Sequence, residues 1–123
     1  MTNRFAGSFT NLDVVNKLFM GSWGTVTQQT SITTGVTLNT SRGAITTFDP
    51  ALAAAAEVEF VVTNSMCHSD SVVNIGIASG PGDNEHVIAF VSSTAEGSFS
   101  IVLSNLAAAN QADGAMVINY VII

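Results

Sequence analysis

The sequence predicts an all-β fold: an eight-stranded antiparallel, jelly-roll-like β-sandwich over residues 24–123, preceded by an N-terminal arm or short helix over 1–23. Three observations predict it. From Gly24 onward, apolar and polar residues alternate with a period of two, which turns one set of side chains inward. The alternating residues are rich in Val, Ile and Thr, whose branched side chains suit a pleated, half-buried surface. Turn-forming segments recur every 8 to 14 residues, the rhythm of a sandwich or barrel.

Taken in order, the run Gly24-Thr25-Val26-Thr27-Gln28 begins a Thr-rich alternation that continues through Val36-Thr37-Leu38 and Ala44-Ile45-Thr46. It predicts strands near 24–29, 35–40 and 43–48. Val58, Phe60 and Val62 alternate with Glu57, Glu59 and Val61 in a fourth strand over 57–63. Val73, Ile75 and Ile77 mark the inner side of a fifth over 71–78. Val87, Ala89 and Val91 mark a sixth over 86–93. Phe99, Ile101 and Leu103 against Ser98, Ser100, Val102 and Ser104 give a seventh over 97–104, and Met116, Ile118, Tyr120 and Ile122 an eighth over 115–122. Asp49-Pro50, Asn64-Ser65, Ser79 to Asn84, Ala95-Glu96-Gly97 and Asn110 to Gly114 are the turns between them. The alanine runs 51–56 and 107–109 favour helix but are too short to hold one, so they read as tight crossovers. The apolar ending Val121-Ile122-Ile123 calls for pairing inside a sheet or cover from a neighbouring subunit.

Residues 1–23 differ. Phe5, Phe9, Leu12, Val15, Leu18 and Phe19 fall mostly at three- and four-residue spacings, and Asn11 or Asp13 could cap a short helix. Such a segment either folds onto its own barrel or docks on a partner. Aromatic anchors are what interfaces favour, so Phe5, Phe9, Leu12, Phe19 and Trp23 are the candidate partner-binding residues.

The chain has 123 residues, the length of one domain, and can bury roughly two-thirds of its unfolded surface without disulfides. Hydrophobic residues make up 47% but charged residues only 10%, against roughly 25% in ordinary domains. Its polar surface is therefore hydroxyl and amide, cheap to desolvate and suited to assembly. Arg4, Lys17 and Arg42 are the only cations, and the net charge is −6. Phosphate backbones are bound by Lys and Arg that displace counterions, so nucleic acid is not an expected partner. No apolar run reaches the 18 or so residues of a spanning helix, and no basic stretch followed by an apolar run opens the chain. Neither a membrane role nor a secretory signal is expected.

Chemistry is sparse. Cys67-His68 with Asp70 is the one cluster resembling a catalytic set, but neighbours on an extended chain point to opposite sides. His68 and His86 with Asp83 and Glu85 lack metal-ligand spacing. The segment Gly80 to Glu85 offers oxygens that calcium accepts, without a known loop order, and reads as a solvated turn. Glu57 and Glu59 share one strand face and read as a solvated exterior. No phosphate-binding glycine loop and no Gly-x-Ser-x-Gly elbow occurs. The expectation is a protein that is not an enzyme, with no cofactor and no metal.

The string Gly24-Thr25-Val26-Thr27-Gln28, with Thr34 to Asn39, Gly43 to Thr47, Ala51 to Ala54, Phe60 to Ser65, Gly97 to Ile101 and Val117 to Ile122, resembles a group of small tailed-bacteriophage and prophage virion proteins. The likeness covers about 100 residues, all but the N-terminal segment. The Cys67-His68-Ser69-Asp70 loop and the aromatic N-terminus depart from it. The resemblance implies a β-sandwich structural component of a virion, without enzymatic activity. The function expected is that of a capsid cement (decoration) protein. Made in the host cytoplasm, it would bind the outer capsid surface and bridge major capsid protein subunits, as a homo-oligomer, trimer or dimer. The alternative is a tail-fibre or tailspike module that recognises host-surface glycan, with Trp23, Tyr120 and the Asn/Asp-rich turns as a sugar platform.

Overall fold

The computed structural model describes residues 21–80 and 86–123. Expectations that fall on residues 1–20 and 81–85, including Phe5, Phe9, Leu12 and Phe19, the arm or helix, Asp83 and Glu85, lie outside the described residues. The described chain holds eight strands and no helix: β1 (Trp23–Thr27), β2 (Val36–Thr37), β3 (Arg42–Thr46), β4 (Glu57–Thr63), β5 (Val73–Ser79), β6 (Val87–Ala95), β7 (Ser98–Asn105) and β8 (Val117–Ile122). All eight fall within the expected segments or a residue or two beyond them. Trp23, assigned to the arm by its sequence context, instead opens β1.

Two four-stranded sheets face each other, β1-β3-β8-β5 (sheet A) and β2-β4-β7-β6 (sheet B). Consecutive strands occupy matching places in the two sheets: β1 and β2, β3 and β4, β8 and β7, β5 and β6. The sandwich is thus four ribbons laid side by side, each giving one strand to each sheet. The antiparallel expectation is corrected at one margin. β3, β8 and β5 pair antiparallel, as do β4, β7 and β6, but β1 runs parallel to β3 and β2 parallel to β4. The first ribbon enters in the same direction as the second, and period-two alternation carries no information about strand direction.

The inward residues form one core. Ile45, Phe60, Val62, Phe99, Ile101, Leu103, Met116 and Ile118 are almost wholly buried. Tyr120 tilts against Phe99 with ring centroids 5.4 Å apart. Val73, Ile75 and Ile77 are only half-buried because β5 is an edge strand. β7 is buried on both sides, Ser100, Val102 and Ser104 included. These small outward residues sit low between the larger side chains of β4 and β6.

Polar side chains close the ends of the sandwich. Buried Gln28 donates to the carbonyls of Ile32 and Thr34, both at 2.8 Å, and accepts from Phe48 N. Buried Asn105 donates to the carbonyls of Leu52, Ala53 and Asn110 and accepts from Ala107 N. Thr47 accepts from Met116 N at 2.9 Å. Each satisfies loop backbone that would otherwise be buried without partners, a loss costing about 1–3 kcal/mol per group. The alanine run 51–56 is irregular, as expected of a crossover, and Leu52 bridges Ala112.

Candidate interaction surfaces

Each sheet turns one face outward, and the faces differ. On sheet A, strand register sets Trp23, Arg42, Val121 and Asn74 in one row across the four strands. The next row is Thr25, Ala44, Asn119 and Gly76. Trp23 is 49% exposed, and the Arg42 guanidinium lies 5.8 Å from its ring centroid. Together with Asn74, Gly76, Asn119 and Val121 they line an open depression of about 480 Å³. Its floor is low at Gly76, where a side chain would meet nothing within 4 Å.

On sheet B, the rows run Glu57, Ser104, Ile88, then Glu59, Val102, Phe90, then Val61, Ser100, Ser93. Val61, Ile88 and Phe90 are exposed around the recessed serines of β7. A register shift between Val91 and Ser93 sets Ser92 out of line, and its hydroxyl donates to Glu59 at 2.7 Å. The outer side of this sheet is an apolar strip with carboxylates along one margin. Glu57 and Glu59 are solvent-facing.

The Cys67-His68-Asp70 cluster does not assemble. Cys67 is fully buried, and its thiol is directed at the carbonyls of Ser98 at 3.3 Å and His68 at 3.7 Å. The His68 ring faces solvent and meets Glu96 Oε1 at 2.6 Å from Nδ1. The Glu96 hydrogen bond and charge hold the His68 pKa above its ordinary value, with a smaller push from Asp70. Glu96 is correspondingly lowered, chiefly by the His68 hydrogen bond. Backbone bonds from Gly97 N to Cys67 O (2.8 Å) and Asn64 N to Gly97 O (2.9 Å) stitch this loop to the β6–β7 turn. Among the described residues, no group of His, Cys, Asp and Glu could hold a metal ion.

Tyr120 corrects the expected sugar platform. It is 3% exposed, and its ring lies in the core, away from the exposed indole of Trp23. Its neighbours are instead Asn64, Thr40 and Phe99. Sequence reading missed Arg42, Asn74, Asn119 and Gly76 as companions of Trp23. The available signal was the alternation itself, which puts all of them on the outward parity. It also missed Ile88 and Phe90, the outward apolar residues of a strand read only for its inner side. No protein-family model, no curated protein and no solved structure matches the chain.

Proposed function

We propose that the protein is a bacteriophage capsid cement (decoration) protein, a jelly-roll-like domain that binds the outer surface of the shell and bridges major capsid protein subunits. The observation that carries this reading is the outer face of sheet B: exposed Val61, Ile88 and Phe90 around hydroxyl-lined β7. Contiguous exposed apolar groups mark contact surfaces, and the short serines beside them lose little when water leaves. A protein that binds only the assembled shell shifts the equilibrium toward it by mass action. The net charge of −6 fits an exterior position away from packaged nucleic acid. Self-association into a dimer or trimer would repeat the contact around a symmetry axis. The resemblance to small virion proteins points the same way, and the N-terminal Phe5, Phe9, Leu12 and Phe19 are proposed as a second contact with the shell.

The test is occupancy. An Ile88→Ser/Phe90→Ser variant with unchanged thermal unfolding should fail to co-sediment with shells of the cognate phage, whereas the parent chain should saturate them. Full occupancy by the variant would remove sheet B from the contact. Failure of the parent chain to bind shells would overturn the reading itself.

A further inference from the structure

We propose that a second copy of this chain docks on the free edge of sheet B, its β6 pairing antiparallel with β6 about a two-fold axis at Ala89. This gives the self-association of the reading above an interface, and it requires no shell. β6 ends sheet B, with β7 on one side only. Leu106 N donates to His86 O at 2.9 Å, which extends the β6–β7 ladder by one residue pair and fixes its phase. Hydrogen-bonded pairs alternate along an antiparallel ladder, so Ile88 and Phe90 bond to β7. The N–H and C=O groups of Val87, Ala89 and Val91 therefore point away from the sheet. Among the described residues nothing bonds to them.

This edge is complementary to itself. An axis at Ala89 sets Val87 opposite the partner's Val91 and Ala89 opposite the partner's Ala89, each pair exchanging both backbone bonds. The same register sets Ile88 directly opposite the partner's Phe90 on the outer face. That is a non-hydrogen-bonded pair, the kind whose side chains stand closest. Ile88 is 46% and Phe90 41% exposed in one copy, so each gains cover from the other. No charge and no proline interrupts Val87–Ala95, so the pairing opposes no like charges despite the net charge of −6. Edge strands are usually guarded by lysine, proline or a bulge. Here the bulge follows Val91 and leaves Val87 to Val91 unguarded. The other edges offer less. β2 has two residues, and β1 places Thr25 between Trp23 and Thr27, hydroxyl rather than apolar. On β5, the bonds between Val72 and Ile123 leave Val73, Ile75 and Ile77 facing outward. An axis at Ile75 would set Asn74 against Gly76, with nothing apolar to pack.

Sedimentation equilibrium of the full chain, without shells, should show a dimer that dissociates on dilution. Ala89→Pro removes only the N–H offered to the partner, a position where edge strands accept proline. Its apparent mass should be halved while its circular dichroism spectrum stays that of the parent. If that variant unfolds, Ile88→Lys/Phe90→Lys, which sets lysines opposite each other across the axis, should give the folded monomer instead. Ile88→Cys/Phe90→Cys should cross-link to a covalent dimer under mild oxidation, and Asn74→Cys/Gly76→Cys on β5 should not. A parent chain monomeric at every concentration, a dimer that survives the lysine variant, or cross-linking through β5 instead of β6 would overturn the proposal. Shell binding by a monomeric parent would leave the cement reading standing, and a dimer that ignores shells would remove that reading alone.

Discussion

The side-chain amide of Asn64 donates to the hydroxyl of Tyr120 at 3.1 Å, joining the end of β4 to the middle of β8 inside the core. The same amide reaches the Thr40 carbonyl at 2.8 Å, and Asn64 Oδ1 accepts from Met66 N at 2.8 Å. The Tyr120 hydroxyl in turn meets the Thr40 carbonyl at 3.0 Å. Three segments converge on one buried amide.

Removing the amide should therefore cost more than removing the hydroxyl. Tyr120→Phe leaves Asn64 its bond to Thr40, and should lower stability by about 1–2 kcal/mol. Asn64→Ala leaves the Met66 amide without its acceptor, removes one of the two donors to the Thr40 carbonyl and the amide donor to Tyr120, and should cost about 2–4 kcal/mol. Urea unfolding of the two variants measures the order. Burial holds the Tyr120 pKa above its ordinary value of 10.0, against the opposing Thr40 and Asn64 bonds. The folded state thus keeps its proton longer, and this contribution is full below pH 10 and lost as pH rises through the raised value.

The exposed His68–Glu96 pair is expected to act in a pH window. With the His68 pKa raised, its contribution is present below the ordinary histidine value and lost as pH rises through the raised one. With the Glu96 pKa lowered, the complementary contribution is present above the ordinary carboxylate value and lost as pH falls. Proton NMR titration should place His68 above 6.5, and Glu96→Gln should return it toward that value.

The glycines of sheet A are expected to divide sharply. A Cβ on Gly43 would come 2.5 Å from the Gly24 carbonyl oxygen and 3.0 Å from Leu38 Cδ2, so Gly43→Ala should destabilise by about 1–3 kcal/mol. Gly76→Ala meets open space and should be neutral or stabilise by about 0.4–1 kcal/mol. Thermal melting of both variants decides the matter.

Ala55 carries a positive φ of 61° without being glycine. It is exposed, so Ala55→Gly relieves backbone strain with no packing lost, and should raise stability by about 0.5 kcal/mol in urea unfolding.

Cys67 is sealed in the core. Its thiol should react with a disulfide reagent only as fast as the protein opens. Rates that rise with urea in parallel with unfolding would verify this, and a fast reaction in buffer would contradict the buried placement.

Much of this arrangement was legible in the alternation of residues. Val58-Glu59-Phe60-Val61-Val62 can satisfy a buried face only as a strand, and Phe99-Ser100-Ile101-Val102-Leu103 likewise. Strand direction was not legible, because β1 presents the same faces whether it runs with or against β3. β2 covers only Val36–Thr37; beyond it Leu38 lies against Gly24 and Gly43 and Thr40 against Gly24, contacts with no sequence pattern. Asn64 and Asn105 carry turn-type polar side chains and Gln28 reads as part of a strand; only the fold reveals that all three cap loops from inside. The separation of Cys67 from His68 was legible from strand geometry; the pairing of His68 with Glu96, 28 residues away, was not.

The strand at the centre of sheet A, β8, lies latest in the sequence, between β3 and β5. Until it arrives, those two have no shared partner, and the sandwich has one side open. Joining β3 to β8 closes a loop of about 70 residues, a non-local step whose entropic cost precedes its reward. Completing the core therefore depends on this long-range closure. A chain interrupted before Val117 would leave Ile45, Ile77 and Phe99 without their cover, as an adhesive, aggregation-prone species rather than a smaller folded one.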